Sequence, residues 1–120
     1  MLKSIHHIQL AMPEGREDEA RAFYAGVLGL AEVEKPDNLK ARGGCWFAAC
    51  DVRVHLGVEQ DFRPARKAHP AFVVDDLAAV AAAVERAGYE VKADAPLEGV
   101  LRTYVYDPFG NRIELMQVLG

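Results

Sequence analysis

The chain has 120 residues, 51% hydrophobic and 27% charged, with a formal net charge of −4 and a pI near 5.5. That length supports one compact domain or two small halves sharing a core, and with no dense Lys/Arg run a nucleic-acid partner is not expected. No apolar run approaches the roughly 20 residues of a membrane helix and residues 1–7 lack a signal-peptide core, so a cytoplasmic protein without a membrane partner is expected.

Residues 5–12 alternate His7, Gln9 and Ala11 against Ile8, Leu10 and Met12, the period of a strand, until Pro13-Glu14-Gly15 breaks it. Residues 17–28 read as a helix with Ala20, Phe23, Val27 and Leu28 on one stripe and Gly29 as its C-terminal stop. A short strand at 30–34, a polar Pro-containing loop through Arg42, and strands at 46–50 and 52–59 joined at Asp51 follow. Cys45 and Cys50 lack Cys-x-x-Cys spacing and read as small buried residues at this hairpin, and Trp46 reads as core. Beyond the first hairpin, 71–74 is a strand, and Asp75 or Asp76 caps a helix striped by Leu77, Val80, Val84 and Ala87 and closed by Gly88. Strands at 89–92, 102–107 and 112–118 complete the chain, with 96–99 as a loop and Pro108 and Gly110 suited to a tight turn.

The second series repeats the first. Gly29 and Gly88 lie 59 residues apart, and the same offset carries Asp51-Val52-Arg53-Val54-His55-Leu56 onto Gly110-Asn111-Arg112-Ile113-Glu114-Leu115. Ahead of the helices the offset is 62, pairing His7 with His69. A self-similar chain of this length implies an α+β fold of two βαβββ modules, about 5–60 and 68–118 with a linker at 61–67, whose curved mixed sheets carry helices on the apolar, outer face and leave the other face concave and wetter.

The repeat sets His7 against His69 and His55 against Glu114. Strand parity puts His55 with Arg53 and Gly57, opposite Val54 and Leu56, and Glu114 with Arg112 and Met116, opposite Ile113 and Leu115. All four therefore lie away from the most apolar face. Three imidazoles and a carboxylate suit a first-row divalent ion such as Ni, Co, Zn, Mn or Fe, with open positions for water or substrate. Three of the donors would hold an ion without His55. His6 has the opposite parity to His7 and reads as a non-ligand.

Four segments together resemble the vicinal oxygen chelate superfamily, which includes glyoxalase I, fosfomycin-resistance enzymes, extradiol dioxygenases, methylmalonyl-CoA epimerase and bleomycin-resistance proteins. They are His6-His7-Ile8, Phe23-Tyr24-x-x-Val27-Leu28-Gly29-Leu30, His69-Pro70-Ala71-Phe72-Val73-Val74-Asp75-Asp76-Leu77 and Asp107 to Leu115. The resemblance implies paired βαβββ modules around a metal-bearing cavity, with ligands at His7, His55, His69 and Glu114, and a homodimer. It implies a metal-dependent lyase, isomerase or dioxygenase binding a small oxygen-rich substrate, with Glu114 or His55 exchanging a proton. Glyoxalase I enzymes usually carry a carboxylate where this chain has His55, whereas two His and one Glu suffice in fosfomycin enzymes and extradiol dioxygenases. The alternative is a metal-free protein that sequesters a drug, as bleomycin-resistance proteins do.

Cations complete the expectations. Arg63 and Arg66 on the linker suit bidentate contact with a substrate carboxylate or phosphate. Arg53 and Arg112 share the cavity-side parity, as anion clamps or as a partner of Glu114, and Tyr104 and Tyr106 are placed to reach the cavity.

Overall fold

The computed structural model describes all 120 residues. They fall into two compact units, Met1–Arg63 and Pro64–Gly120. Each unit is one four-stranded mixed sheet with a helix.

The first unit runs β1 (Ile8–Met12), α1 (Glu17–Tyr24), β2 (Ala31–Val33), a 3-10 helix (Asp37–Arg42), β3 (Cys45–Ala49) and β4 (Val52–Val58). Its strand order is β1-β4-β3-β2, with β1 parallel to β4 and the other pairs antiparallel. Register puts Leu10 beside Leu56, Leu56 beside Cys45 and Val54 beside Phe47, forming one apolar face. Ala20, Phe23 and Tyr24 of α1 are buried with Met12, Phe47 and Val54, and Tyr24 stacks on Phe47 at 5.5 Å. Glu17, Asp18 and Glu19 in the first turn of α1 complement the positive end of its dipole.

The second unit runs β5 (Ala71–Val73), α2 (Leu77–Arg86), β6 (Val91–Lys92), β7 (Val100–Tyr106) and β8 (Arg112–Val118), in the order β5-β8-β7-β6. This is the topology of the first sheet. Leu77 and Val84 of α2 are buried with Val105, Ile113 and Leu115. Asp76, one of two expected caps, accepts from the Ala79 amide at 3.1 Å, which contributes about 1 kcal/mol.

Several expected boundaries move. The first strand begins at Ile8, so His6 and His7 precede it and strand parity does not separate them. The first helix stops at Tyr24, beyond which the amides of Gly26 and Leu28 reach back five residues to the Arg21 and Phe23 carbonyls and the regular i→i−4 ladder gives way. Cys45 is buried as expected, but Cys50 is exposed at the hairpin tip with φ of 51°. No helix is long and apolar enough to cross a membrane.

The hairpins differ in length. Trp46 pairs with His55, nine residues on, whereas Tyr104 pairs with Glu114, ten residues on. The expected constant offset therefore slips by one on the third strand. The extra residue sits in the Asp107–Asn111 connection, which Asp107 ties together. Its carboxylate accepts from the amides of Phe109 (2.9 Å) and Asn111 (2.8 Å) and from the Asn111 side chain (2.8 Å). Gly110 follows with φ of 91°, a left-handed conformation that glycine adopts without a Cβ penalty.

Candidate functional site

The sheet face opposite each helix carries the polar constellation. In the first unit Gln9, His55 and Trp46 are direct neighbours across β1, β4 and β3. The His55 ring lies between two others, Trp46 at 3.8 Å and 3° and His7 at 4.1 Å and 18°. This sandwich leaves His55 only 7% exposed. Burial, with the neighbouring charges of His7, His6 and Lys35, pulls its pKa down to about 4. His55 is accordingly a neutral imidazole near pH 7, the form that donates a lone pair to a metal.

Trp46 is not core but half-buried, one wall of the His55 stack. His6, read as a non-ligand, has its Nδ1 3.0 Å from Nδ1 of His7, so that one ring must donate and the other accept. Arg53 is exposed and donates to the His6 carbonyl at 3.3 Å, bracing the segment that presents His7.

The second unit gathers His69, Glu114, Tyr104 and two arginines. The register aligns Ala71, Glu114 and Tyr104 across three strands. His69 Nε2 meets Glu114 Oε1 at 3.1 Å, and its Nδ1 faces the Lys67 carbonyl at 2.9 Å. An ionised carboxylate and a carbonyl only accept hydrogen bonds. With an Nδ1–H given to the Lys67 carbonyl, Nε2 turns its remaining valence, a second N–H or a lone pair, toward Glu114. An Nδ1–H held by a backbone carbonyl is the arrangement that aims Nε2 at a metal. Two donors each about 2.1 Å from one ion stand about 3.0 Å apart at right angles and about 3.4 Å apart at the tetrahedral angle; the observed 3.1 Å is equally that of a direct hydrogen bond.

The other Glu114 oxygen belongs to Arg102, a residue the sequence reading passed over. Arg102 Nη1 donates to Glu114 Oε2 at 3.2 Å and to the Tyr104 hydroxyl at 3.3 Å, while Nη2 donates to the Ala95 carbonyl at 2.7 Å. Burial pulls the Arg102 pKa down, but Glu114 and Tyr104 outweigh it and leave the guanidinium above its ordinary value. Alternation from Tyr104 along β7 would have placed Arg102 on the same face. Arg112, expected as a clamp or partner of Glu114, instead stacks over the Tyr104 ring at 4.6 Å. Tyr106, its β7 neighbour, holds the Arg112 pKa above its ordinary value. Arg63 and Arg66 are both exposed, in the first and second units respectively.

No group of three or more His, Cys, Asp or Glu side chains is arranged to hold a metal ion. The expected donors occur as two pairs, His7 with His55 and His69 with Glu114.

The model of the glyoxalase/bleomycin resistance protein/dioxygenase superfamily matches residues 4–115. A Bacillus anthracis protein assigned to the glyoxalase family is 47% identical, covering 98% of this chain and 97% of its own, with a TM-score of 0.92. The fosfomycin resistance protein FosX from Listeria monocytogenes is 17% identical over 98% of this chain and 92% of its own, with a TM-score of 0.77. TnmS3, an antibiotic-binding protein from Streptomyces sp. CB03234, is 20% identical over 98% and 99%, with a TM-score of 0.73. The last two likenesses are of fold alone. A search of the curated proteins gave no match.

Proposed function

This chain belongs to the glyoxalase/bleomycin resistance protein/dioxygenase superfamily, and we propose that it is a metal-dependent enzyme of the lyase, isomerase or dioxygenase kind acting on a small oxygen-rich molecule. The His69–Glu114 pair carries the reading, because its ring nitrogens face two acceptors and its donors stand at the spacing of neighbouring ligands. His69 and Glu114 in the second unit, and His7 and His55 in the first, are the donors proposed for metal binding. When bound, the ion would supply Lewis acidity toward vicinal oxygens. Arg102 fixes Glu114 by Oε2 and leaves Oε1 directed at His69. His55, kept neutral by burial, is suited to ligation, and His55 and Glu114 are the groups assigned to proton exchange with substrate. Exposed Val73, Leu97, Leu101 and Val118 in the second unit support association with a second copy.

The test is elemental analysis of protein purified without a His tag. About one equivalent of Ni, Co, Zn, Mn or Fe, lost in His69→Ala and in Glu114→Gln, is expected. Protein that stays folded and takes up none of these ions on dialysis against each would overturn the proposal. Substrate screening with and without air then separates a dioxygenase from a lyase or isomerase.

A second reading is a metal-free drug-binding protein, favoured by one observation: the Arg102 guanidinium already neutralises Glu114. Binding of an aromatic antibiotic that is undiminished by chelator, together with no metal uptake, would select it.

A further inference from the structure

The two units are duplicates in topology, so their differences locate what each was fitted for. Equivalent positions on the polar sheet faces follow from register: Trp46 answers to Tyr104 and His55 to Glu114. One step along the strands, Arg102 and Met116 are partners in the second unit. The corresponding positions in the first unit are Gly44 and Gly57. Where the second unit inserts a guanidinium and a thioether, the first has hydrogen atoms.

The space so left is a cavity of about 270 Å³, lined by Gln9, Lys35, Arg42, Trp46, Gly57 and neighbouring apolar groups, all within the first unit. Beside it, Gly44 admits no side chain, since a Cβ there would lie 2.0 Å from the Leu56 carbonyl oxygen. The 3-10 helix forms one wall, and Lys35 and Arg42 flank its two ends.

The charges on this wall are unbalanced. Lys40 takes up Glu34 and Asp37, and Glu17 is committed to the Gly44 amide at 2.9 Å. Lys35 donates to the Gly43 carbonyl, which leaves two of its three donors for other partners. Arg42 takes part in none of the ion pairs of the chain. Two cations over a cavity walled by Trp46, Leu39, Leu56 and Val58 fit a ligand with an anionic end and an apolar body.

We propose that this cavity binds the oxyanion group, a carboxylate or a phosphonate, of a small organic ligand, with Arg42 and Lys35 holding the charge, Gln9 donating a hydrogen bond and Trp46 covering the apolar part. In the second unit Arg102 fills the equivalent place with a cation of the chain itself. In the first, the equivalent place is left for a ligand. The proposal rests on the functional reading above insofar as the ligand is the enzyme's substrate, and it names the class of that substrate. Trp46 joins the cavity to the His55 stack, so the bound molecule lies beside a residue assigned to the metal.

The test titrates chelator-treated full-length protein with benzoate, phenylphosphonate and the neutral isostere benzamide, read by Trp46 fluorescence and calorimetry. Saturable binding of benzoate or phenylphosphonate at least about tenfold tighter than benzamide is expected, weakening with salt. Arg42→Gln should weaken anion binding by about tenfold or more and leave benzamide unchanged, with Arg42→Lys partly restoring it. Gly57→Met, which installs the side chain found at the matching position of the second unit, should abolish binding of all three. The Cβ at Gly57 meets only the flexible end of Gln9, so the strand accommodates it. Anions binding no better than benzamide, or unchanged anion affinity in both variants, would overturn the proposal. Metal content is measured on the same samples: its absence alongside selective anion binding would sink the enzymatic reading and spare this one, and the reverse pattern would do the opposite.

Discussion

His55 offers the sharpest test of the site's electrostatics. Its ring is 7% exposed between Trp46 and His7, and burial with nearby positive charge moves its pKa from 6.5 to about 4. A protonated ring stacked on Trp46 would gain a cation–π attraction of about 0.5–2 kcal/mol, so two opposing effects meet in one residue. A pKa of about 4 in place of 6.5 weighs against the imidazolium by on the order of 3 kcal/mol, which exceeds that attraction. The unfolded chain binds the proton below pH 6.5 and the folded chain does not until about pH 4. The stability contributed by His55 is therefore whole above pH 6.5 and falls as the pH drops through that window. Trp46 is the sole tryptophan, so fluorescence of chelator-treated protein reads the imidazolium directly through quenching. A transition centred near pH 4 and absent in His55→Gln is expected, with urea midpoints falling from pH 7 to pH 4.5 in the parent and changing less in the variant. A midpoint at or above 6.5 would mean that stacking outweighs burial, and the reasoning would fail.

Other outcomes follow from contacts elsewhere. Asp107→Ala removes the acceptor of three hydrogen bonds, including two backbone amides in a buried turn, and should lower stability by about 3–5 kcal/mol in urea unfolding, with Asp107→Asn losing less. Arg102→Gln frees Glu114 Oε2 and should weaken metal affinity by about 10–100-fold in a competition titration, with secondary structure unchanged by circular dichroism. Native protein should expose one thiol to an aromatic disulfide reagent, Cys50, and a second only on unfolding. Burial raises the Cys45 pKa to about 11 from 9.0, so stability should fall between these pH values as the unfolded thiol ionises first, and Cys45→Ala should remove that component.

The duplication was readable because helices, terminal glycines and hairpins recur at fixed spacing, and alternation alone put His55 and Glu114 on the face away from the helices. Segments outside the strands were not readable in this way. His7 precedes β1, so parity could not place it, and the His6 contact is made by a ring nitrogen that no periodic pattern encodes. Arg102 escaped because its counterpart in the first half is a glycine, and comparing the copies highlights only what they share. Lys35 and Arg42 flank a 3-10 helix with no equivalent in the second copy, so their role emerges only from the cavity they border.

The unequal hairpins bear on how such a chain can be altered. Parallel pairing with β1 and β5 sets the registers of β4 and β8, holding His55 opposite Gln9 and Glu114 opposite Ala71. Residues gained or lost at the hairpin tips leave that alignment alone, as the longer Asp107–Asn111 connection already demonstrates. The tip at Cys50-Asp51 is thus a port, a place to graft a loop or a reporter while His55 and Glu114 keep their addresses.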